Sequence, residues 1–382
     1  MNFRSIPAFI VASILLGVEP IPVCASAPQP SDVVSDFQQL LQKIGTSQAD
    51  PCDPPNGKDP VTASTEGRIF SQTANIVEQE LNADSNQQKP PLERATGALK
   101  KLERVSAEIN AAWPEEKRFH FEILDLRPAL VVKMSIRARA YFEVFGIPDE
   151  SQGKPGQLWK QVGSNIESLG GDWPQTELVL YPLHRGPSKN ARFLAEFNTI
   201  GCAGNAGGAA YEAYEWNPEL NYSEIVIQQT GSYRLDDVPA LKNPFPSIGV
   251  FRTEGPLISL PYCWFSAVDT WDNPSLCAVD TYDLSGNDVR FHSRRYNRPD
   301  LVPVAKAIEY AEKRDYPAVL GYSANANVAR KMVREIPPSF ASGELQVKRI
   351  TADRERVEFG AAYRFEVEKR ADQWLVIAFS TE

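Results

Sequence analysis

The hydrophobic period of this chain changes along its length, and that change constrains the fold more than any other feature. Up to Trp113 the apolar residues recur with the helical period, whereas from residue 116 to Tyr296 most apolar runs are short or alternate. Beyond Asp300 a helical pattern is followed by further alternating runs. The sequence therefore predicts an α+β protein with N-terminal helices, an antiparallel β-rich middle and a C-terminal α+β meander domain.

Residues 1–27 have the three parts of a secretory signal peptide. Arg4 supplies the basic start, residues 6–18 are apolar, and Val23, Ala25 and Ala27 offer cleavage points. No later segment is apolar enough to span a bilayer. We therefore expect a secreted or periplasmic chain with no stable membrane span after the signal is removed. The alternatives are an uncleaved anchor or a lipid-modified cysteine within the leader.

Three amphipathic stripes predict helices before residue 115. They lie within residues 31–45, between Ile69 and Leu81, and between Leu92 and Trp113. Each stripe covers about one helix face, so each helix has to pack on another layer. We assign residues 28–115 to a helical region that serves as scaffold or as a partner surface.

The segment 116–298 carries mostly β signals. Residues 132–144 alternate strictly and predict one long half-buried strand, paired with the preceding run "FHFEIL". Residues 157–171, "QLWKQVGSNIESLGG", predict a short amphipathic helix. From Thr176 to Tyr296, short runs separated by Gly, Pro, Asn and Asp predict an antiparallel sandwich or barrel. No regular repeat that would predict a propeller is present.

Four cysteines follow the leader, and an even number in an exported chain predicts two disulfides. Cys263 and Cys277 flank the turn residues "DTWDNP" in a predicted hairpin, which places them opposite each other across two strands. Cys52 then pairs with Cys202. The alternative is that all four thiols are free and buried.

The glycine-rich stretch "TIGCAGNAGG" around Cys202 invites comparison with two catalytic or binding loops. A hydrolase nucleophile elbow needs glycine two residues before the nucleophile, where this chain has Ile200. A phosphate loop needs Lys-Ser or Lys-Thr after the glycines, and neither is present. The glycines therefore favour a wide β-bend. The chain order Cys202, aspartate, His292 suits a hydrolase triad, so both residues stay catalytic candidates.

The predicted hairpin is rich in carboxylates and aromatic rings. Asp269 and Asp280 are candidate catalytic acids, and Trp264, Trp271 and Asp272 are candidate ligand-binding residues. Paired carboxylates beside aromatic rings suit glycan binding or glycoside hydrolysis, in which one acid protonates and the other attacks or activates water. The alternative is that these aspartates form turns and solvated faces.

The motif "SRRYNRPD" at residues 293–300 is dense in hydrogen-bond donors. Arg294 and Arg298 are candidate ligand-binding residues because guanidinium groups bind carboxylate or phosphate. The alternative is that they pair with local acids and fix the joint to the last domain.

Residues 299–382 form the predicted C-terminal domain. A helix is predicted from Asp300, with an inward face of Leu301, Val304, Ala305, Ile308 and Ala311. The stretch "PAVLGYSANANVARKMVREI" predicts a second helix, and "FEVEKRADQWLVIAF" predicts a terminal hairpin. Two helices followed by a meander resemble the cystatin-like, NTF2-like α+β fold over about 80 residues. Members of that fold include enzymes and interaction modules, so the resemblance does not imply one function.

Charge and composition narrow the function further. The net charge of −9 and the absence of a basic stripe interleaved with aromatics exclude a nucleic-acid role. The three histidines are far apart in sequence, and no cofactor or metal site is predicted. The leading hypothesis is a non-catalytic exported protein that binds a ligand or partner of the cell envelope or exterior, with glycan as one candidate. The alternative is a hydrolase acting on glycan or ester through the hairpin aspartates or Cys202.

Overall fold

A computed structural model gives the architecture of most of the chain. It describes residues 30–45, 60–83, 88–113, 118–136, 139–147, 158–164, 175–187, 190–200, 207–219, 222–231, 252–264, 266–269, 276–340 and 344–381. These residues form a mixed α+β protein with antiparallel sheets, as the sequence predicts. None of the described helices has the length and apolarity needed to cross a membrane. The predicted leader 1–27 and the predicted Cys52–Cys202 pair lie outside the described residues.

Three helices form the N-terminal layer: α1 (Pro30–Gly45), α2 (Pro60–Asn82) and α3 (Pro91–Ala112). They confirm the three predicted helices, although α2 begins well before the apolar stripe that predicted it. Pro91 stands in the first turn of α3, where a backbone N–H has no helical partner in any case.

Twelve of the described strands form three sheets of four strands each. The first sheet contains β1 (His120–Asp125), β2 (Leu130–Ile136), β3 (Arg139–Gly146) and β4 (Lys160–Ser164). The second contains β5 (Gln175–Pro182), β6 (Ala191–Ile200), β7 (Gly207–Asn217) and β8 (Tyr222–Gly231). The third contains β9 (Arg252–Glu254), β10 (Leu257–Trp264), β11 (Leu276–Asp283) and β12 (Arg290–Tyr296). Every strand pairs antiparallel with its neighbour in sequence, so each sheet is a meander.

The three sheets stack face to face. One face of the first sheet packs on α1–α3, and its other face shares a core with the second sheet. The opposite face of the second sheet shares a separate core with the third. This is the face-to-face packing of a sandwich, extended by one layer; among the described strands none closes a barrel. Three successive meanders thus form without a sequence repeat, because each sheet needs only alternating apolar residues and turns.

A close contact lets the first two sheets approach. The Trp216 ring of β7 is fully buried, and a Cβ placed on Gly146 of β3 would lie 2.5 Å from it. Only glycine leaves room for the indole at this position.

One buried arginine joins the second sheet to the third. Arg192 of β6 is completely buried and forms an ion pair with Glu215 of β7. Its Nη1 donates to the carbonyl oxygens of Leu284 at 3.1 Å and Gly286 at 3.3 Å, and its Nη2 donates to that of Asn287. These three carbonyls belong to the loop between β11 and β12, so Arg192 fixes that loop against the second sheet.

The single long strand predicted for residues 132–144 is wrong. The structure has two strands, β2 and β3, that pair with each other, with Ile136 opposite Arg139. The alternation continues in the sequence although the faces exchange between the strands: Met134 and Ile136 of β2 face the helices, whereas Phe142 and Val144 of β3 face the second sheet. β3 is also buried on both faces, since Tyr141 faces the helices and Phe142 faces the second sheet. The predicted pairing of "FHFEIL" with this region is confirmed by β1.

The helix predicted for residues 157–171 is also wrong where the structure describes it. Residues 160–164 form strand β4, which pairs with β3. Asn82 at the end of α2 holds the start of this segment, because its side chain accepts a hydrogen bond from the Trp159 N–H at 2.7 Å and donates to the Trp159 carbonyl at 2.9 Å. The available sheet edge of β3 thus overrides the local helical pattern.

The C-terminal segment contains α4 (Val302–Glu312), α5 (Tyr316–Gly321), α6 (Ala326–Glu335) and a fourth meander sheet. That sheet comprises β13 (Leu345–Thr351), β14 (Arg354–Phe359), β15 (Tyr363–Arg370) and β16 (Gln373–Thr381). The helices and the sheet share one core, which also includes Val268 and Leu276 from the region of the third sheet. Helices followed by a meander are confirmed, whereas the NTF2-like family relationship stays a prediction.

The second helix predicted here, over residues 317–336, is divided in two. The Val376 N–H of β16 donates to the Tyr322 carbonyl at 2.9 Å, and the Ala324 N–H donates to the Val376 carbonyl at 2.8 Å. The Asn325 side chain then accepts hydrogen bonds from the N–H groups of Asn327 and Val328 and starts α6. Pairing with β16 therefore interrupts a stretch that is helical by local propensity.

The Cys263–Cys277 disulfide is confirmed. The two residues lie directly opposite each other on β10 and β11 and are bonded. The bond closes a loop with a sequence separation of 14.

Removing this bond should destabilise the protein. The double variant Cys263→Ala/Cys277→Ala should lose about 3 kcal/mol of unfolding free energy in the chain-entropy account of cross-links. Urea unfolding with and without a reducing agent measures the loss. The reductant should lower the stability of the parent by about 3 kcal/mol more than that of the double variant, in which only the predicted Cys52–Cys202 pair is left to reduce. An equal response of both proteins would contradict the prediction.

Glu143 of β3 is a carboxyl group buried between the first sheet and the helices. Its exposed fraction is 2%, and burial raises its pKa to about 8, against a smaller opposing effect of the hydrogen bond from the Gln161 amide. Its Oε1 atom has no hydrogen-bond partner in the structure. The folded protein therefore holds this carboxyl neutral at pH 7, whereas the unfolded chain ionises it.

The raised pKa makes stability depend on pH. As far as Glu143 is concerned, the free energy of unfolding is highest below about pH 4.5 and falls as the pH rises toward 8. The reason is that only the unfolded state releases the proton in that interval. Glu143→Gln carries no such proton, so its stability relative to the parent should increase by about 2–4 kcal/mol between pH 5 and pH 8. Urea unfolding at both pH values tests this, with the exposed Glu224→Gln as control. A difference that does not change with pH would refute it.

Candidate functional site

One face of the third sheet combines aromatic rings with charged groups. Strand alternation and register place the following side chains on the face directed toward the second sheet: Tyr262 and Trp264 of β10, Asp280 and Tyr282 of β11, and Arg294 and Tyr296 of β12. The inner part of this face is buried in the shared core. Toward β12 it opens, since Trp264 and Tyr296 are half-buried and the Arg294 side chain is 40% exposed.

Asp280 is a fully buried carboxylate that Arg294 neutralises. Arg294 Nε donates to Asp280 Oδ1 at 2.6 Å, and Nη2 donates to Oδ2 at 2.7 Å, which is a bidentate pair. The Tyr262 hydroxyl donates to Oδ2 at 3.2 Å. These contacts occupy both carboxylate oxygens, and the Arg294 guanidinium carbon lies 6.0 Å from the centre of the Tyr262 ring.

The electrostatics of the three groups are linked. The hydrogen bonds to Asp280 raise the pKa of Arg294 above its usual value, despite partial burial. Burial and the Asp280 charge raise the pKa of Tyr262. Both side chains therefore keep their protons throughout the physiological range, and the cluster is a fixed donor and acceptor set rather than a proton-transfer system.

Five aromatic rings continue from this cluster to the C-terminal helices. The ring centres of Tyr262 and Trp264 are 5.6 Å apart, those of Trp264 and Tyr296 are 6.1 Å apart, and those of Tyr310 and Tyr322 are 6.0 Å apart. Tyr322 lies close enough to both Tyr310 and Tyr296 for their charges to raise its pKa, after burial as the larger cause. Tyr262 is buried, and we call the other four rings, which are half-buried, the aromatic surface.

Charged side chains border the aromatic surface on helix α4. Glu309 accepts from Lys306 Nζ at 2.8 Å and from Lys313 Nζ at 2.9 Å, and Lys313 Nζ lies 5.7 Å from the centre of the Tyr310 ring. All four residues are half-buried or exposed. The surface thus presents flat rings with polar groups at its rim.

Arg298 lies at the joint between the third sheet and α4, as part of a second charged cluster. Its Nη2 is 2.5 Å from Asp300 Oδ2 and 3.7 Å from Glu355 Oε2 of β14. Burial raises the pKa of Asp300, but hydrogen bonds from Arg298 and Glu355 outweigh it and hold the pKa below its usual value. Burial and the neighbouring Asp300 raise the pKa of Glu355. The pKa values of these two neighbouring carboxyl groups are therefore shifted in opposite directions.

The other predicted acids do not gather into one site with Asp280. Asp269 accepts hydrogen bonds from the N–H and the hydroxyl of Ser266, both at 2.8 Å, within its own loop. The nearby Asp283, which ends β11, accepts from the Ser285 N–H at 2.8 Å in a turn. His292 is exposed on β12. Trp271 and Asp272 lie outside the described residues.

The surroundings of Cys202 are those of a hairpin. β6 ends at Ile200, opposite Gly207 at the start of β7, and β7 is a strand. A nucleophile elbow requires a helix after the turn. The flanking strands support the β-bend interpretation; Cys202 itself is outside the described residues.

Sequence reasoning found Trp264, Arg294 and Arg298 but missed Tyr310, Tyr322 and Lys306. These three residues lie in a stretch that the sequence analysis interprets only as helical. Tyr310 and Tyr322 are 12 residues apart, a spacing that does not place them on one face of a single helix. Their rings meet because α5 and the turn after it fold back toward α4. A high local density of tyrosine was the only available signal.

Known proteins resemble this chain only weakly. No protein-family model and no curated protein matches the chain. Among solved structures, a GH93 α-L-arabinofuranosidase of Fusarium graminearum in complex with arabinobiose matches at 12% identity and a TM-score of 0.25, covering 70% of this chain and 68% of that one. The Fusarium graminearum α-L-arabinofuranosidase Arb93A with an iminosugar inhibitor matches at 13% identity with the same TM-score and coverage. A likeness at this TM-score identifies neither a fold nor an activity.

The Asp280–Arg294 pair makes a testable contribution to stability. Arg294→Ala leaves a buried carboxylate with only the Tyr262 hydroxyl, and should cost about 2–4 kcal/mol of unfolding free energy. The double variant Asp280→Asn/Arg294→Met removes both charges and should be more stable than Arg294→Ala. Urea unfolding ranks the variants, with Arg290→Ala on the same strand as control. Equal stability of Arg294→Ala and the control would contradict the pairing.

Proposed function

We propose that this chain is a non-catalytic binding protein of an exported, oxidising compartment, and that it holds a glycan on the aromatic surface. The observation that carries the proposal is the run of partly exposed rings, Trp264, Tyr296, Tyr310 and Tyr322, bordered by Arg294 and Lys306. The exported location rests on the predicted signal peptide, with the disulfide as support, because such bonds persist in oxidising compartments.

The chemistry of the surface suits a sugar. The faces of aromatic rings are electron-rich, so they attract the C–H groups on the apolar face of a pyranose. The hydroxyls of the sugar edge need donors and acceptors, which Arg294, Lys306 and Glu309 supply around the rings. The rings already pack on one another, so little side-chain freedom is lost on binding.

The state of Asp280 supports binding over hydrolysis. A glycosidase needs one carboxyl that donates a proton and a second that attacks or activates water. Asp280 is completely buried and both of its oxygens are engaged, while Asp269 is engaged within its loop. Each of these two carboxylates is thus already engaged by partners within the fold.

One observation favours the hydrolase alternative. At the joint beside Arg298 the pKa of Asp300 is lowered and that of Glu355 is raised, and pairs of carboxyl groups with separated pKa values are typical of acid–base sites. The pair is largely buried and tied to Arg298, which also suits a purely structural role.

A glycan-binding screen with matched variants tests the proposal. The full mature protein should bind a subset of immobilised oligosaccharides, and Trp264→Ala and Tyr322→Ala should each weaken binding by about tenfold or more, since each removes a stacking ring. Tyr363→Ala is the control, because Tyr363 packs on Phe340 elsewhere in the C-terminal core. Binding that survives both surface variants, or no binding at all, would refute the proposal.

The same samples distinguish the hydrolase alternative. The proposal expects no release of reducing sugar from bound oligosaccharides and no hydrolysis of a chromogenic acetate ester. Turnover that is abolished by Asp300→Asn or Glu355→Gln, but kept in Glu335→Gln, would replace the binding protein with an enzyme that uses the Asp300–Glu355 pair.

A further inference from the structure

One face of strand β12 carries two aromatic rings with an arginine between them. Cross-strand partners share a face of the sheet, so the pairing with β11 places Phe291, Arg294 and Tyr296 on the face directed toward the second sheet. The second sheet leaves this strand largely uncovered, since every residue of β12 is exposed except the half-buried Tyr296. We call these three residues the β12 strip, which is about 16 Å long at ~3.3 Å per residue.

Phe291 forms the exposed end of the β12 strip. It is 56% exposed, which is the highest value among the large apolar residues that the structure describes. Its ring meets the half-buried ring of Tyr282 edge-on, with the ring centres 5.7 Å apart and the planes at 81°. Exposed apolar surface is unfavourable in water, so a ligand that covers the Phe291 ring gains the free energy of its burial.

The charge in the middle of the β12 strip is already matched within the fold. Asp280 neutralises Arg294 through the bidentate pair, and Arg294 also forms a hydrogen bond with the Tyr296 side chain. Burial raises the pKa of Tyr282, the Asp280 charge adds to this and Arg294 opposes it, so Tyr282 lies close to the pair. The strip therefore offers rings and neutral polar groups, and its one charged side chain does not select a charged ligand.

The other end of the β12 strip belongs to the aromatic surface. The Tyr296 ring centre is 6.1 Å from that of Trp264, so both residues mark the point where the strip and the aromatic surface join. Rings thus occur at both ends of the strip, with Phe291 and Tyr282 at one end and Tyr296 and Trp264 at the other. One sugar ring covers only one end, whereas a chain of several sugar rings spans both. This continuity assigns the strip to the ligand of the aromatic surface.

We propose that Phe291 and Tyr282 form a second binding subsite, and that the ligand is an uncharged linear glycan that extends along β12 from the aromatic surface to Phe291. The inference rests on the proposed function, because the same glycan has to occupy the aromatic surface. A chain that reaches both ends loses its overall freedom only once, so the second contact adds affinity at a small further cost in entropy. Affinity therefore increases with chain length and depends little on salt.

Calorimetric titration of the full mature protein with short and long sugars tests the dependence on chain length. The probes are disaccharides and hexasaccharides derived from cellulose, chitin and mannan, which are uncharged and linear. For at least one of these glycans the hexasaccharide should bind about tenfold or more tightly than the disaccharide, because only the longer chain reaches Phe291. Its affinity should change less than about twofold between about 0.05 M and about 0.5 M ionic strength.

Variants of Phe291 locate the second subsite. Phe291→Ala should weaken hexasaccharide binding by about tenfold and leave disaccharide binding unchanged, whereas Phe291→Tyr keeps the ring and should keep the affinity. Ile350→Ala is the matched control, because it removes another exposed apolar side chain, 44% exposed on β13 of the fourth sheet, and should have no effect. Thermal unfolding checks that each variant is folded.

The outcomes separate this inference from the proposed function. If Phe291→Ala binds the hexasaccharide as tightly as the parent does while Trp264→Ala loses it, the second subsite is refuted and the aromatic surface stands. Equal affinity for the two lengths, a marked loss at high salt, an equal loss in Ile350→Ala, or no binding of any hexasaccharide would also overturn the inference. Hexasaccharide binding that survives Trp264→Ala would refute the proposed function and, with it, this inference.

Discussion

The arrangement of the middle of this protein depends on one buried guanidinium. Arg192 is completely removed from solvent, so its charge has to be matched by Glu215 and its remaining donors by backbone carbonyls. The carbonyls that it uses belong to the loop joining β11 to β12. The position of β12 relative to the second sheet therefore follows from Arg192, and with it the positions of Arg294 and Tyr296. The aromatic surface proposed to bind a glycan is therefore built partly on that strand.

A second buried charge, Asp280, fixes the position of Arg294 at the open side of the candidate site. Burial forces Asp280 to accept from Arg294 and Tyr262, which holds the Arg294 side chain across the face of the Tyr262 ring. An arginine held in place by a buried partner loses little freedom on meeting a ligand. The sequence left two interpretations of the arginines in "SRRYNRPD": ligand binding or pairing with local acids. The structure is compatible with both, because the arginines pair with local acids and still border an open surface.

The elements that could be predicted from the sequence are those governed by local rules. The Cys263–Cys277 bond followed from turn residues between two short strands, and the three N-terminal helices followed from their apolar stripes. The failures have tertiary causes: the alternation of residues 132–144 gave no sign that β2 and β3 pair with each other, and the edge of β3 converted residues 160–164 from helix to strand. Backbone pairing with Val376 divided the helix predicted over residues 317–336. Tyr310 and Tyr322 could not be assigned to a site because the path of α5 brings them together.

The loop closed by the Cys263–Cys277 bond has a consequence for how the molecule unfolds. Val268 within that loop and Leu276 at its end are buried in the core of the C-terminal helices and fourth sheet, not in the core of the third sheet that carries the cysteines. Separating the last helices from the sheets would strip both side chains of their apolar neighbours, at a cost of about 1.5–3 kcal/mol for each fully buried residue. The two parts of the chain are therefore thermodynamically coupled, and the sulfur cross-link that tightens one of them also limits the fluctuations of the other.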